Sequence, residues 1–186
     1  MSLFNSFIRV PAMVLRHRIH PYPPMRIMDT DRVMLRVWPQ DIDWNMHMNN
    51  SRYQSYMDYG RFRAVARCRV MDRALGKGWA PLVGGVLMTF RRSLHLWERY
   101  ALDTRIRCWD DRWFYIEQNF YGREGLATTA WVKGLFRDRT TGNVPPQQLL
   151  ESVEPGIVSP PMPRSIIEWN ESTRDQLAGA NVAVKP

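Results

Sequence analysis

Asp41, Asp43, Asn45 and His47 fall at alternate positions in the run Asp-Ile-Asp-Trp-Asn-Met-His-Met-Asn-Asn, residues 41–50. Carboxylate, amide and imidazole are the groups that activate water and polarise a carbonyl. In an extended backbone, residues i, i+2 and i+4 point to one side. The pattern predicts a polar edge formed by Asp41, Asp43, Asn45, His47 and Asn49. Ile42, Trp44, Met46 and Met48 are expected to grip an apolar surface behind it. Water attack on a carbonyl is the leading chemistry.

Other chemistries fit less well. Asp41, Asp43 and Asn45 match the first, third and fifth ligands of a calcium loop. Met46 stands where that loop needs Gly, and Arg52 where it needs Glu. The chain has no HExxH or Cys/His zinc spacing and no GxSxG elbow, and Gly76-Lys77-Gly78 lacks the rest of a phosphate loop. No metal or redox cofactor is expected. Cys68 and Cys108 lie far apart without a CxxC motif, which fits a reducing compartment, and a cytoplasmic location is expected.

The elements that must position these residues follow from hydrophobic period. Arg32 to Trp38 reads as a short strand with Val33, Leu35 and Val37 on one face. Asn49 or Asn50 caps a helix over 51–68, in which Tyr53, Met57, Gly60 and Ala64 repeat at helical spacing. Gly60 and Ala64 are small enough to let that helix lie close to a sheet. Gly76, Gly78 and Pro81 mark a loop. Val86, Met88 and Phe90 then open a β region, with further strands near 100–109, 112–121 and 126–137. A short helix is expected near 146–152. Consecutive strands with one apolar helix imply an α+β fold, a curled antiparallel sheet around that helix.

Three segments are expected: an extension over 1–30, a domain over 31–153, and a Pro-rich tail over 154–186 with one helical turn near Ile166 to Trp169. In the extension, Leu3, Phe4, Phe7, Ile8, Val14 and Leu15 would line one helix face, with a kink at Pro11. An arm packed on the domain or on a partner subunit is expected there, ahead of membrane contact. No run of eighteen apolar residues is present, so no transmembrane helix is predicted.

The formal charge of +8 points to an anionic partner: nucleic acid, acidic phospholipid or a phosphorylated cofactor such as coenzyme A. The arginines, among them Arg61, Arg63, Arg67, Arg91, Arg92, Arg137 and Arg139, are scattered rather than clustered. That disfavours a nucleic-acid partner.

The stretch DIDWNMHMNNSRYQSYMDYGRFR resembles the signature of hotdog-fold thioesterases: Asp-x-Asp, then His-x-Asn-Asn, then Tyr at the first turn of a central helix. It is similar to relatives of 4-hydroxybenzoyl-CoA thioesterase, to plant acyl-ACP thioesterases, and most of all to thioesterase superfamily members with a single hotdog domain. The match is specific over 41–61 and architectural over 32–150. The resemblance implies hydrolysis of acyl-CoA or acyl-ACP, with Asp43 as general base or nucleophile and Asn45 and His47 assisting. Asn50, Ser51, Tyr53, Met57, Met88 and Phe90 would meet the substrate, Asp41 and Asn49 would hold the loop, and the chain would form a homodimer or a dimer of dimers. Many bacterial members carry Gly where this chain has Met46. A non-catalytic acyl-CoA-binding module on the same fold is the alternative.

Overall fold

The computed structural model describes Ala12, Leu15 and residues 19–183, with side chains to residue 179. The apolar face expected over Leu3, Phe4, Phe7, Ile8 and Val14, and the kink at Pro11, lie outside the described residues. Among the described residues, no helix is long and apolar enough to cross a membrane.

Strand β1 spans Asp31–Arg36 and leads through a 3-10 turn, Pro39–Asp41, to helix α1, Asn50–Arg67. A short helix α2, Val70–Gly76, precedes β2, Ala80–Phe90. Strands β3 (Arg99–Trp109), β4 (Phe114–Gly122), β5 (Gly125–Asp138) and β6 (Gly142–Val144) follow. Helices α3, Pro146–Glu151, and α4, Arg164–Ala183, complete the chain. The sheet runs β1-β3-β4-β5-β2 with every pairing antiparallel, and β6 extends it along the end of β5.

The strands after residue 99 fall close to their expected places, and the curled sheet around a central helix is the expected α+β fold. Strand β2 departs from expectation. It begins at Ala80 and takes in Pro81, which had read as loop. An edge strand can hold a proline, because one side of its backbone has no ladder to feed.

Helix α1 buries Tyr53, Tyr56, Met57, Gly60 and Ala64 against the sheet. Its approach is closest at Gly60. A Cβ there would sit 2.7 Å from Thr104 Oγ1 and 2.9 Å from Leu102 Cδ2. Gln118 fills the same gap, donating to the Met57 carbonyl at 3.1 Å and to Thr104 Oγ1 at 2.9 Å. The N-terminal half of the helix packs by aromatic edges: Tyr53 lies 5.1 Å from Phe90 and 5.0 Å from Phe120 between ring centroids. At the other end Arg63 and Arg67 both donate to the buried Asp31 carboxylate, fastening the helix to the start of β1.

The C-terminal region differs from the expected tail. Residues 157–163 carry no regular secondary structure, and the Ser159 hydroxyl accepts from the Trp109 amide and donates to its carbonyl, tying this stretch to the end of β3. Helix α4 then runs for 20 residues rather than one turn. Its first turns lay Ile166 and Trp169 on the outer sheet face with Tyr115, Trp113 and Trp131. The five prolines had suggested an extended chain, but four lie before the helix begins and the fifth after it ends. Gly84 leaves room for this layer: a Cβ there would meet the Trp113 ring at 2.2 Å.

Replacing Gly60 by Val should destabilise the fold by about 1–3 kcal/mol through overpacking against Thr104 and Leu102. Urea unfolding of the two proteins measures this. An unchanged midpoint would mean that the helix does not lie so close to the sheet.

Candidate active site

The segment 41–50 is a folded-back loop rather than an extended edge. Ile42 and Met48 bridge across it, the Asp43 amide donates to the His47 carbonyl at 3.1 Å, and the Met46 amide donates back to the Asp43 carbonyl at 3.0 Å. Asp43 to Met46 therefore form a tight turn. Met46 adopts φ 61°, in the left-handed region. The expected inward grip by Trp44 and Met46 is overturned: Trp44 is fully exposed, at 101%, and Met46 is 64% exposed. Of the four apolar residues, Met48 is buried and Ile42 packs against the core. Alternation fails where the turn reverses the chain.

The polar residues separate into two groups. Asp41 is buried, its Oδ2 accepting from the Trp38 amide at 3.0 Å and the Tyr56 hydroxyl at 2.6 Å. Its carbonyl accepts from the Asn49 amide at 2.8 Å. Asp43 faces partly outward. Its Oδ1 accepts from the Asn45 amide at 2.9 Å, and its Oδ2 accepts from Asn49 Nδ2 at 3.3 Å. His47 Nδ1 lies 4.0 Å from Asp43 Oδ1, with the two side chains 36% and 22% exposed. The Asn45 side chain is at the exposed tip.

Asn49 joins the turn to the helix. As the N-cap of α1 its side-chain oxygen accepts from the Ser51 amide at 2.9 Å and the Ser51 hydroxyl at 2.6 Å. Its amide nitrogen holds Asp43. The Arg52 amide donates to the Asn49 carbonyl at 2.9 Å. The Asn50 amide, the first of the helix, has no carbonyl partner within it.

His95 and Glu98 were not foreseen. His47 and His95 form a bridge with their rings 5.9 Å apart at 74°. Together with Arg92, Arg123, Glu98 and Glu124 they line an open polar cavity of about 590 Å³. Glu98 is buried, accepting from the His95 and Arg123 amides at 3.0 Å each. The stretch Arg91-Arg92-Ser93-Leu94-His95-Leu96-Trp97-Glu98 shows no regular period, so only the fold brings it to His47.

Tyr53, Met57, Met88 and Phe90 were expected to meet the substrate. Tyr53 and Met57 are instead sealed in the core. An apolar cavity of about 150 Å³ lies further along the helix, lined by Phe62, Val65, Leu82, Ile116 and Phe136, with Asp58 and Arg61 on its wall. Arg61 donates to Asp58 and, at 2.6 Å, to Gln118 Oε1. Burial pulls its guanidinium below the ordinary value, against the opposing pull of Asp58. Burial pushes the Cys68 thiol up to about 12 and Cys108 up to about 11. Neither is a thiolate at neutral pH. Among the described residues no group of three His, Cys, Asp or Glu side chains is gathered as a metal would need.

Over residues 37–170 the chain matches the model of the thioesterase-like superfamily. The chain belongs to that family. It is 32% identical over 174 residues to Protein THEM6 of Xenopus laevis, covering 92% of this chain and 83% of that one. Its fold is similar to the probable thioesterase YbaW of Escherichia coli, with TM-score 0.62, 16% identity, and 68% and 98% of the two chains covered. It is also similar to a 4-hydroxybenzoyl-CoA thioesterase mutant complexed with 4-hydroxybenzoyl-CoA, with TM-score 0.60, 12% identity, and 67% and 99% covered. The expected hotdog fold is thereby established.

The left-handed Met46 explains why Gly suits this position in the resembling sequences: only Gly adopts it without steric strain. Met46→Val should be less stable than Met46→Gly by about 1–2 kcal/mol, since a β-branched residue is least tolerant of positive φ. Thermal unfolding of the pair checks this, and equal stabilities would contradict the turn.

Proposed function

We propose that this thioesterase-family chain hydrolyses the thioester of acyl-CoA, with Asp43 as the carboxylate that drives the reaction. One observation supports this most: the Asp43 carboxylate is held at the start of α1 by the Asn45 amide and the Asn49 side chain, and His47 stands beside it. A carboxylate fixed by two donors, still 22% exposed, can reach a water or a thioester carbon. Attack would place negative charge on the thioester oxygen. The Asn50 amide, at the positive end of the helix dipole, suits that charge. Asn45, at the tip of the turn, would orient the thioester, and His47 would carry a proton between water and the leaving thiol.

The apolar cavity beside Phe62 and Val65 would take the acyl chain. The polar cavity with Arg92 and Arg123 lies on the His47 side and suits the carrier arm. Strand β2 supports the dimer. It is an edge strand of 11 residues with Leu82, Val83, Leu87 and Phe90 exposed. So long and apolar an edge favours pairing with another strand, and a second copy of β2 would continue the sheet.

Asp43→Asn should lower turnover of acyl-CoA by about 100- to 10,000-fold, the contribution of a positioned general base or more, without moving the thermal midpoint. Thiol release across short, long and aromatic acyl-CoAs measures it. Absence of turnover with all of them, together with tight acyl-CoA binding, would move the assignment to a binding module.

A further inference from the structure

The outer face of the sheet along β1 and β3 carries a ladder of cross-strand pairs. Tyr100 and Leu102 point to the core, so Arg99, Ala101 and Asp103 lie on the opposite face, where Arg99 is exposed and Ala101 is buried. Their partners on β1 are Arg36, Met34 and Arg32. Arg32 and Asp103 form an ion pair, with Arg32 also over the Tyr121 ring at 5.6 Å. Next to it Met34 is 64% exposed. Arg36 and Arg99 then stand opposite one another, and neither has a carboxylate partner among the described residues. Beyond the strands the Val37 amide donates to the Glu98 carbonyl and the Trp97 amide to the Val37 carbonyl, each at 3.0 Å. Trp38 and Trp97 meet edge to face at 5.6 Å while remaining 41% and 50% exposed.

Three features of this face work against the stability of the isolated chain. Like charges directly opposite in a sheet repel. Two indoles are left half exposed to water. Trp97 holds its side chain out on a left-handed backbone, φ 64°, that a bulky residue rarely adopts. Such features persist where function requires them. Unpaired arginines call for an anion, and indoles favour a medium that is apolar on one side and wet on the other. Elsewhere on the surface, the turn after Asp43 leaves Trp44 and Met46 exposed as well. A fluid surface can adapt to so uneven a relief, whereas a folded protein partner would need a matching shape.

We propose that this face docks on the surface of an anionic phospholipid bilayer, with Arg36 and Arg99 on the headgroups and Trp38 and Trp97 at the interface. The chain's net charge of +8 has the sign such a surface attracts. None of these residues belongs to the proposed catalytic set, so the docking and the hydrolysis stand or fall separately.

Sedimentation of the full chain with vesicles tests this, using phosphatidylcholine alone and phosphatidylcholine with phosphatidylglycerol. Binding is expected only to the anionic vesicles and should fall as salt is raised. Arg36→Gln combined with Arg99→Gln should weaken it about 30-fold, at about 1 kcal/mol for each arginine. Trp38→Ser combined with Trp97→Ser should weaken it at every salt concentration. Equal binding to both vesicle types, no binding, or full binding by the arginine variant would overturn the proposal. So would loss of affinity for soluble coenzyme A or for an RNA in that variant without any vesicle binding. The salt series on the unmodified chain decides the question even if a variant fails to fold.

Discussion

The buried Asp41 carboxylate joins the end of β1 to the second turn of the central helix. One oxygen accepts from both the Trp38 amide and the Tyr56 hydroxyl, while the Asp41 carbonyl receives the helix cap through the Asn49 amide. A carboxylate taken out of water is tolerated only when such donors surround it. The arrangement fixes where the chain leaves the sheet and where the helix starts. The turn that carries Asp43 has little freedom left. Asn49 completes the link, since one side chain both caps α1 and holds the Asp43 oxygen.

The helix must also approach the sheet closely for this loop to sit over it. Gly60 allows the approach, and Gln118 and Thr104 satisfy one another in the gap. The consequence for chemistry is a division along the helix. Its N-terminal end meets sealed aromatic packing under a polar, open surface. Apolar free volume lies further along, near Phe62 and Val65, with the Asp58–Arg61 pair on its wall. A chain entering that volume would pass a buried guanidinium already committed to a carboxylate and an amide.

Much of the fold was legible in the residues. Strands β3 to β5 keep an alternation interrupted by register shifts after Ile106 and Phe120 and by burial of Tyr115 on the outer face under α4, and the helix period at Tyr53, Met57, Gly60 and Ala64 marks the face that meets the sheet. Hotdog membership was legible from residues 41–61. The conformation of that same segment was not. Its alternation imitates a strand, and only the tight turn with a left-handed Met46 shows that Trp44 and Met46 leave the core. Helix α4 was hidden because prolines on either side of it dominate the composition. Its Ile166, buried, and Trp169, partly buried, find partners on distant strands. His95 reaches His47 through pairing of two loops, Met48 to Leu94, which no local period announces.

The most direct measurement is a crystal structure of the Asp43→Asn protein with an acyl-CoA bound intact. The thioester carbon should lie within about 3–3.5 Å of residue 43 or of a water bound to it, the separation of a reactive approach. The acyl chain should run toward Phe62 and Val65. A thioester bound away from the 43–47 turn, with that turn unchanged, would contradict the assignment of Asp43.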